Sequence, residues 1–375
     1  MRKFATKCFL FIRNEAVLCA ALFLAFLSCF FVPPSVVYFS YIDWDTLALL
    51  FSLMAVMKGF QKAGFFVYTA NLLLKRMTTT RAMLFLLVFL PFMFSMVITN
   101  DVALITFVPF GLIVLRIAGQ ERLAVPQVVL QTIAANLGSM LTPMGNPQNL
   151  YLYNQSHIGF GAFCALMLPY VLASGICLAI LIAFIKPAPI SALPLSAGLG
   201  GPATLFCCAV GFALCLLGLF KIVSPMAIAI AVLVLLLWKD RKLLGSIDYS
   251  LLGTFFAFFI FVGNLASIPR FQNFLSQVLT DHVELVAILT SQIISNVPAA
   301  LLLSGFTDQW RQLIIGCNLG GLGTLIASMA SLISYKMIGR ECPEQRKRYL
   351  RWFTLLNIGF LIVLFLLCVL LQRSA

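Results

Sequence analysis

Acidic and imidazole side chains are scarce in this chain: 12 Asp and Glu and 2 His stand among 375 residues. An enzyme active site calls for clustered acids, histidine, or a nucleophile beside its base. Apart from Asp101, no such group falls within an apolar run. The 11 Cys are scattered, mostly inside apolar runs, with no CxxC or Cys/His spacing. That excludes a disulfide framework or zinc site as a sequence-level expectation. Long polar stretches are missing as well. The chain is 62% hydrophobic and 10% charged, with a mean hydropathy of +1.05. No soluble globular domain hides that much apolar surface, so the composition indicates a polytopic membrane protein embedded in the lipid bilayer. The formal charge of +13 does not indicate nucleic acid, because Lys and Arg sit at the ends of apolar runs, where they act as topology signals.

Apolar runs long enough to span, about 17–25 residues, occupy 16–32, 44–60, 161–185, 203–220, 248–267 and 351–371, with a shorter one at 224–238. Regions 82–115, 126–157 and 283–337 are apolar but interrupted. No small-residue cleavage site precedes Val32, so the first run is expected to stay in place as a spanning helix rather than leave as a signal peptide. Arg2, Lys3, Lys7 and Arg13 put the N-terminus in the cytoplasm. Segment 63–76, flanked by charge, reads as an interfacial helix. Region 82–115 is expected to enter and turn back, keeping Arg116 and Arg122 inside; a single crossing would put them outside. Broken helix 126–157 then crosses outward and 161–185 returns to Lys186. Runs 203–220 and 224–238 go out and back, 248–267 goes out, and a second hairpin, 283–305, dips in from outside. Broken helix 311–337 crosses inward to Arg340, Arg346, Lys347, Arg348 and Arg351, and the last helix ends outside. Residues 186–202 (KPAPISALPLSAGLGGP) form a linker between an N-terminal half, 1–185, and a C-terminal half, 203–375.

The two halves carry three blocks in the same order. IDWDTLALLFSLMAVMKGF (42–60) matches IDYSLLGTFFAFFIFVGNL (247–265), SMVITNDVALITFVPF (95–110) matches SQIISNVPAALLLSGF (291–306), and NLGSMLTPMGNPQNLYLY (136–153) matches NLGGLGTLIASMASLISY (318–335). Asn-Leu-Gly starts both copies of the third block and Tyr ends both. The basic residues place Asp43 at the outer face and Asp248 at the inner face, so the copies run in opposite directions. Inverted repeats with interrupted helices in matching positions are the signature of a secondary transporter with its site at the midplane.

Irregular backbone survives in hydrocarbon only where protein or a cavity satisfies it. Thr99-Asn100-Asp101 and Ser295-Asn296-Val297-Pro298 lie at the two hairpin tips. Each reads as the start of a half-helix whose free N–H groups and positive dipole end favour an anion. In the third block Pro143 lacks an N–H, Gly145 permits unwound backbone and Pro147 restarts a helix. Thr142, Asn146, Gln148 and Asn149 offer amide and hydroxyl groups there, and unwound carbonyls suit Na+. The second copy, 323–331, has no proline but keeps Gly and hydroxyls. Each of these residues could instead hold helices together; the four breaks in a two-fold pattern favour a binding site. Asp101 is expected to be the only deep carboxylate, and could accept a proton, balance a cation or cap its half-helix. Asp43, Asp45 and Asp248 read as helix caps, and His157 and His282 as loop residues.

Thr99-Asn100-Asp101, Gly145-Asn146-Pro147-Gln148-Asn149, Ser295-Asn296-Val297-Pro298 and the Asn318–Thr324 stretch together resemble the ion transporter superfamily over about residues 40–370. The most similar branch is the citrate-transporter-like permeases, related to arsenite permeases, sodium–proton antiporters and divalent-anion/sodium symporters. The resemblance implies an all-α membrane protein of two inverted repeats, working as an elevator with scaffold and transport domains, often as a homodimer, in the plasma (inner) membrane. It implies one cation site at Thr99, Asn100 and Gly145, with Asn146 near the substrate, and another at Ser295, Asn296 and Ala327, with Ser328 near the substrate. Asp101 and Val297 stand where the symporters' tip motifs carry Thr. The expected function is cation-coupled uptake of a small carboxylate such as citrate, with Na+ or H+ as coupling ion and no other cofactor. Asn100, Asn146, Asn296, Ser328, Thr142 and Asn149 would face the substrate. Export of arsenite or sodium–proton antiport, with Asp101 handling the proton, is the alternative.

Overall fold

Backbone amides in hydrocarbon must pair within their own segment, and this apolar chain folds accordingly. The computed structural model describes residues 15–190, 198–280 and 282–374. The basic N-terminal residues Arg2 to Arg13 and linker positions 191–197 lie outside the described residues. Among the described residues every extended element is a helix, apart from one isolated bridge between Thr79 and Pro189. The first half contains α1 (Ala16–Ser28), α2 (Tyr38–Tyr41), α3 (Trp44–Lys62), α4 (Phe65–Leu74), α5 (Thr80–Phe94), α6 (Asn100–Ile117), α7 (Ala124–Gly138), α8 (Pro147–Ser156) and α9 (Phe160–Ala183). The second contains α10 (Pro202–Leu219), α11 (Pro225–Lys239), α12 (Tyr249–Ala266), α13 (Pro269–Leu279), α14 (Val283–Ile294), α15 (Asn296–Ser304), α16 (Trp310–Leu319), α17 (Met329–Glu341) and α18 (Arg346–Ser374).

Among the described residues, five helical stretches are long and apolar enough to cross a membrane: Asn100–Ile117, Phe160–Ala183, Pro202–Leu219, Tyr249–Ala266 and Pro343–Arg373. The pair α3 and α4, bent by 52°, counts as a sixth if taken as one span. The bend sits at Gly64, whose φ of 71° is left-handed backbone that glycine adopts without strain. The run 16–32 yields only 13 helical residues, about 20 Å of helix, because Pro33 and Pro34 follow closely.

The succession α3 to α9 reappears as α12 to α18: long helix, short helix, hairpin, broken helix, closing helix. Both series begin with the same cap. Asp43 accepts the Thr46 N–H at 2.9 Å, and Asp248 accepts the Leu251 N–H at 2.9 Å. The first hairpin reverses at 95–99. Gln131 of α7 holds both arms, donating to the Leu87 carbonyl at 2.8 Å and the Phe107 carbonyl at 3.1 Å. The second reverses at Ser295 between arms of 12 and 9 residues. These are about 18 and 14 Å long, so neither arm alone crosses a hydrocarbon core of about 30 Å.

The repeated Asn-Leu-Gly explains how each hairpin meets its broken helix. A Cβ on Gly138 would lie 2.7 Å from Ser95 Oγ and 2.0 Å from the Phe92 carbonyl, and one on Gly320 would lie 2.5 Å from Ser291 Oγ. Ser95 and Ser291 open the two copies of the second block. The bare glycine lets the first arm of each hairpin press against the broken helix. Helix α7 is buried along almost its whole length, and α5, α6, α9, α17 and α18 pack around it. Helix α1 packs on α12, while α10 and α11 pack on α3.

Candidate functional site

Helix α7 stops at Gly138 and α8 starts at Pro147; α16 stops at Leu319 and α17 starts at Met329. The first gap contains Pro143 and Pro147 and folds back on itself, with Asn146 Nδ2 donating to Ser139 Oγ at 2.7 Å. The second gap lacks proline and is held by a side chain instead. Gln292 donates to the carbonyls of Gly320 (3.0 Å) and Leu322 (2.9 Å) and accepts the Thr324 N–H at 2.9 Å. Gly323, at φ 104°, completes this turn.

Each hairpin tip is fastened to the facing gap by the same bond. The Asn100 N–H donates to the Gly145 carbonyl at 3.1 Å, and the Asn296 N–H donates to the Ala327 carbonyl at 2.9 Å. Two asparagines then tie the halves together. Asn136 Oδ1 accepts from Asn100 Nδ2 at 3.0 Å and from Ser328 Oγ at 3.1 Å, and Asn136 Nδ2 reaches Ser331 Oγ at 3.5 Å. Asn318 Nδ2 donates to Asn149 Oδ1 at 2.7 Å. In the aligned third blocks Asn136 matches Asn318 and Ser331 matches Asn149, so the two bridges are equivalent.

The result is a meeting of four helix N-termini. Helices α6, α8, α15 and α17 begin at Asn100, Pro147, Asn296 and Met329. None of their N-cap side chains, on Thr99, Asn146, Ser295 and Ser328, accepts a backbone N–H of its own helix, although in α6 the Asp101 N–H is taken by Asn100 Oδ1 at 2.9 Å. The starts of all four line one cleft, together with Asp101, Gln148 and Leu251. Its volume, about 10 Å³, is room for a single water. Asn146 Oδ1 and Gln148 Nε2 are buried there without a hydrogen-bond partner, and buried polar atoms of that kind call for a partner. A cavity of about 310 Å³ adjoins the cleft, shares Asp101, Asn146 and Pro147 with it, and is also lined by Thr99, Lys58, Glu15 and Asp248.

Of the residues expected from sequence, Asn100, Asp101, Asn146, Asn296 and Ser328 line the cleft, and Thr99 lines the cavity. Gly145 and Ala327 contribute the carbonyls that hold the tips. Ser295 reaches the Ala327 carbonyl with its hydroxyl at 3.4 Å. Thr142 and Asn149 do not line the cleft: Thr142 donates to the Met96 carbonyl, and Asn149 to the carbonyls of Ser139 and Thr142. Asp101 is half-buried and open to the cavity. Glu284 in the first turn of α14 is 9% exposed, covered by the end of α18, where Gln372 donates to it. Asn136, Asn318 and Gln148 complete the site; the Asn-Leu-Gly pair was the sequence signal for the first two.

These features agree with what the chain is similar to. The family model described as citrate transporter matches residues 8–307. The chain belongs to this family. The transporter is 31% identical over 314 residues to the inner membrane protein YbiR of Escherichia coli, covering 79% of this chain and 80% of that one. It is 31% identical over 300 residues to the uncharacterized transporter MJ0456 of Methanocaldococcus jannaschii, covering 80% and 82%. It is 35% identical over 133 residues to the silicon efflux transporter LSI3 of Oryza sativa subsp. japonica, covering 35% and 27%. The matched family and relatives such as MJ0456 and LSI3 are described as transporters, and the long apolar helices indicate an integral membrane protein.

Ser295 carries a measurable cost in the transporter. Its φ of 79° and ψ of 153° fall in a region that is essentially glycine-only and costs about 1–3 kcal/mol for other residues. Ser295→Gly is expected to raise the unfolding free energy in detergent by about 1 kcal/mol while lowering uptake, because the tip hydroxyl is lost. A less stable variant would show that the strain is not there.

Proposed function

We propose that the transporter carries a small carboxylate such as citrate across the plasma (inner) membrane, coupled to Na+ or H+, by alternating access between two inverted repeats. The observation that carries this reading is the convergence of four helix N-termini, none capped by its N-cap side chain, on one cleft. Each presents first-turn N–H groups and about half a positive charge to a bound anion. The unpartnered atoms of Asn146 and Gln148 supply an acceptor and a donor for a carboxyl or hydroxyl group. The Gly145 carbonyl, bonded only by the Asn100 N–H, keeps a second lone pair for a cation beside Thr99 and Asp101; the Ala327 carbonyl would take a cation in place of the long Ser295 hydroxyl contact.

Lys58 and Ser246 of the cavity wall also line a neighbouring pocket, together with Lys62 and Lys242. By the positive-inside rule that basic side faces the cytoplasm, which supports reading this as an inward-open state with a cytoplasmic N-terminus and an external C-terminus. The hairpins and broken helices with α9 and α18 form the moving body. Helices α1, α3 and α10 to α12 form the scaffold, which would also provide the homodimer contact. The bonds crossing between these bodies are sparse and lie near their rims: Gln61 to Thr106, Asn154 to Thr46, Gln155 to Asp43, and Tyr153 to the Leu219 carbonyl. That sparseness suits rigid-body movement.

A second reading rests on Asp101. A carboxylate in the first turn of α6 competes with an anion for that N-terminus but accepts well from an uncharged hydroxide. This fits efflux of arsenite, or proton handling in a sodium–proton antiporter. Uptake of labelled citrate into vesicles, with and without Na+ and pH gradients, separates the readings. Gradient-driven accumulation that Asn296→Ala reduces at least tenfold is expected. No citrate accumulation, with arsenite or proton flux that Asp101→Asn abolishes, would replace the first reading by the second.

A further inference from the structure

We propose that Asp248 and Lys336, which are apart in this structure, form an ion pair that closes the cytoplasmic side of the pathway when the cleft turns to face outward. This rests on the inverted-repeat carrier reading and adds the gate to it. The two halves match closely within the site. Asn100 to Gly145 repeats as Asn296 to Ala327, Gly138 on Ser95 repeats as Gly320 on Ser291, and Asp43 and Asp248 cap α3 and α12 with bonds of equal length.

They differ in how the site-bearing helices meet the scaffold. In the first half α8 packs on α3. Gln155 Nε2 donates to Asp43 Oδ2 at 2.9 Å, and Asn154 Nδ2 to Thr46 Oγ1 at 2.9 Å. In the second half α17 packs on α6 and α7 rather than on α12. Lys336, one residue past the Tyr that closes the third block, holds the position of Asn154. It is exposed and makes no ion pair among the described residues. Asp248 is exposed at the cavity wall, with only its capping oxygen engaged. The converse asymmetry holds for the hairpins: α15 packs on α12, whereas the 310 Å³ cavity lies between the starting turns of α6 and residues 50–58 of α3, and the two helices are joined further on, by Gln61 to Thr106.

Two copies of one unit that meet the scaffold differently define two states related by exchange. In the other state α6 closes on α3, α15 leaves α12, α8 leaves α3, and α17 comes down on the start of α12. That movement brings Lys336 to Asp248 as Asn154 and Gln155 are now brought to Thr46 and Asp43. An amide–carboxylate latch holds one end, and an ammonium–carboxylate latch holds the other. Thr46 is replaced by Leu251 and Gln155 by Met337, so Asp248 and Lys336 are the polar groups left at the second latch, and the long lysine side chain supplies the reach.

The test is oxidative cross-linking of Asp248→Cys/Lys336→Cys in membrane vesicles with copper phenanthroline, read by mass spectrometry against the wild-type chain with its native cysteines. A 248–336 cross-link that stops uptake and is reversed by reductant is expected. No cross-link in vesicles whose wild-type protein transports would overturn the gate. A mutant cycle gives an independent reading: Asp248→Asn keeps the cap and removes the charge, and Lys336→Met keeps the length. Each is expected to lower uptake about fivefold, as loss of a partly exposed pair would, and the double variant no further. Multiplying effects would overturn the pair. The cross-link does not depend on which substrate moves, so its formation alongside a failure of wild-type citrate uptake supports the gate and rejects only the substrate.

Discussion

Asn136→Ala is expected to lower uptake about a hundredfold while leaving a folded protein. Asn136 accepts from Asn100 of the first hairpin and from Ser328 at the start of α17, so one amide oxygen fixes two of the four N-termini. Truncation leaves those donors unpaired at positions that are 4% and 1% exposed. Stranding a buried donor costs about 1–3 kcal/mol in general, but side-chain bonds between membrane helices average nearer 0.6 kcal/mol. The second figure decides the expectation for stability: two such bonds lost, about 1 kcal/mol. The larger effect is geometric. The cleft holds about 10 Å³, and a shift of about 1 Å in groups that position a reacting or bound partner costs on the order of a hundredfold. Asn136→Asp separates the two roles. It keeps the acceptor for Asn100 and Ser328 but sets a negative charge among N-termini that attract an anion. Desolvation of a charge at a position 3% exposed lowers stability, offset in part by the surrounding N-termini, and in the protein that folds the apparent KM for citrate is expected to rise. Wild-type uptake by Asn136→Ala would show that the bridge between the halves is not part of the site.

Why Asn136 escaped the sequence reading, while Asn100 and Asn146 did not, is a matter of range. Helix breakers are local signals: Pro143, Gly145 and Pro147 end α7 and restart α8 wherever they occur, and Ser295-Asn296 marks a reversal. Asn136 sits inside a helix, where nothing local distinguishes a bridging amide from interhelical glue. Only its repetition as Asn318 hinted at a role. The second gap shows the same limit from the other side. It has no proline, yet the backbone is unwound over 320–328, because Gln292 reaches across from α14 to take the carbonyls and N–H that a helix would have used. That compensation is tertiary and has no signature within the segment itself. Glu284 shows it again: in the first turn of α14 beside His282 nothing local marks it, and it is buried only because the end of α18 covers it. The order of elements, the hairpins and the unwound segments were therefore legible. The polar bridges that join the two copies were not, since they depend on how the copies are set against each other.

Gly145→Ala is expected to be the most damaging single substitution in the site. A Cβ there would lie 2.1 Å from the Ser139 carbonyl oxygen and 2.7 Å from Ser139 Cα. Both are backbone atoms of the same folded-back gap, so no rotamer change relieves the contact. Either the gap opens or Gly145 moves, and its carbonyl is the acceptor that holds the Asn100 N–H. Overpacking a tight site costs about 1–3 kcal/mol, and more when backbone must shift. A loss of about 3 kcal/mol or more is expected, seen as a lowered unfolding temperature and a smaller monodisperse fraction in detergent, together with loss of uptake. Gly161→Ala is the control. Nothing lies within 4 Å of a Cβ at that position in α9, and a helical glycine replaced by alanine gains about 0.5–1 kcal/mol. The two variants make the same chemical change, so opposite signs would locate the effect in the fold of the gap rather than in glycine itself. If Gly145→Ala matched Gly161→Ala in stability and uptake, the folded-back gap would not exist in the membrane. The Asn100 tip would then lose its anchor, and the meeting of the four N-termini would lose its geometric basis.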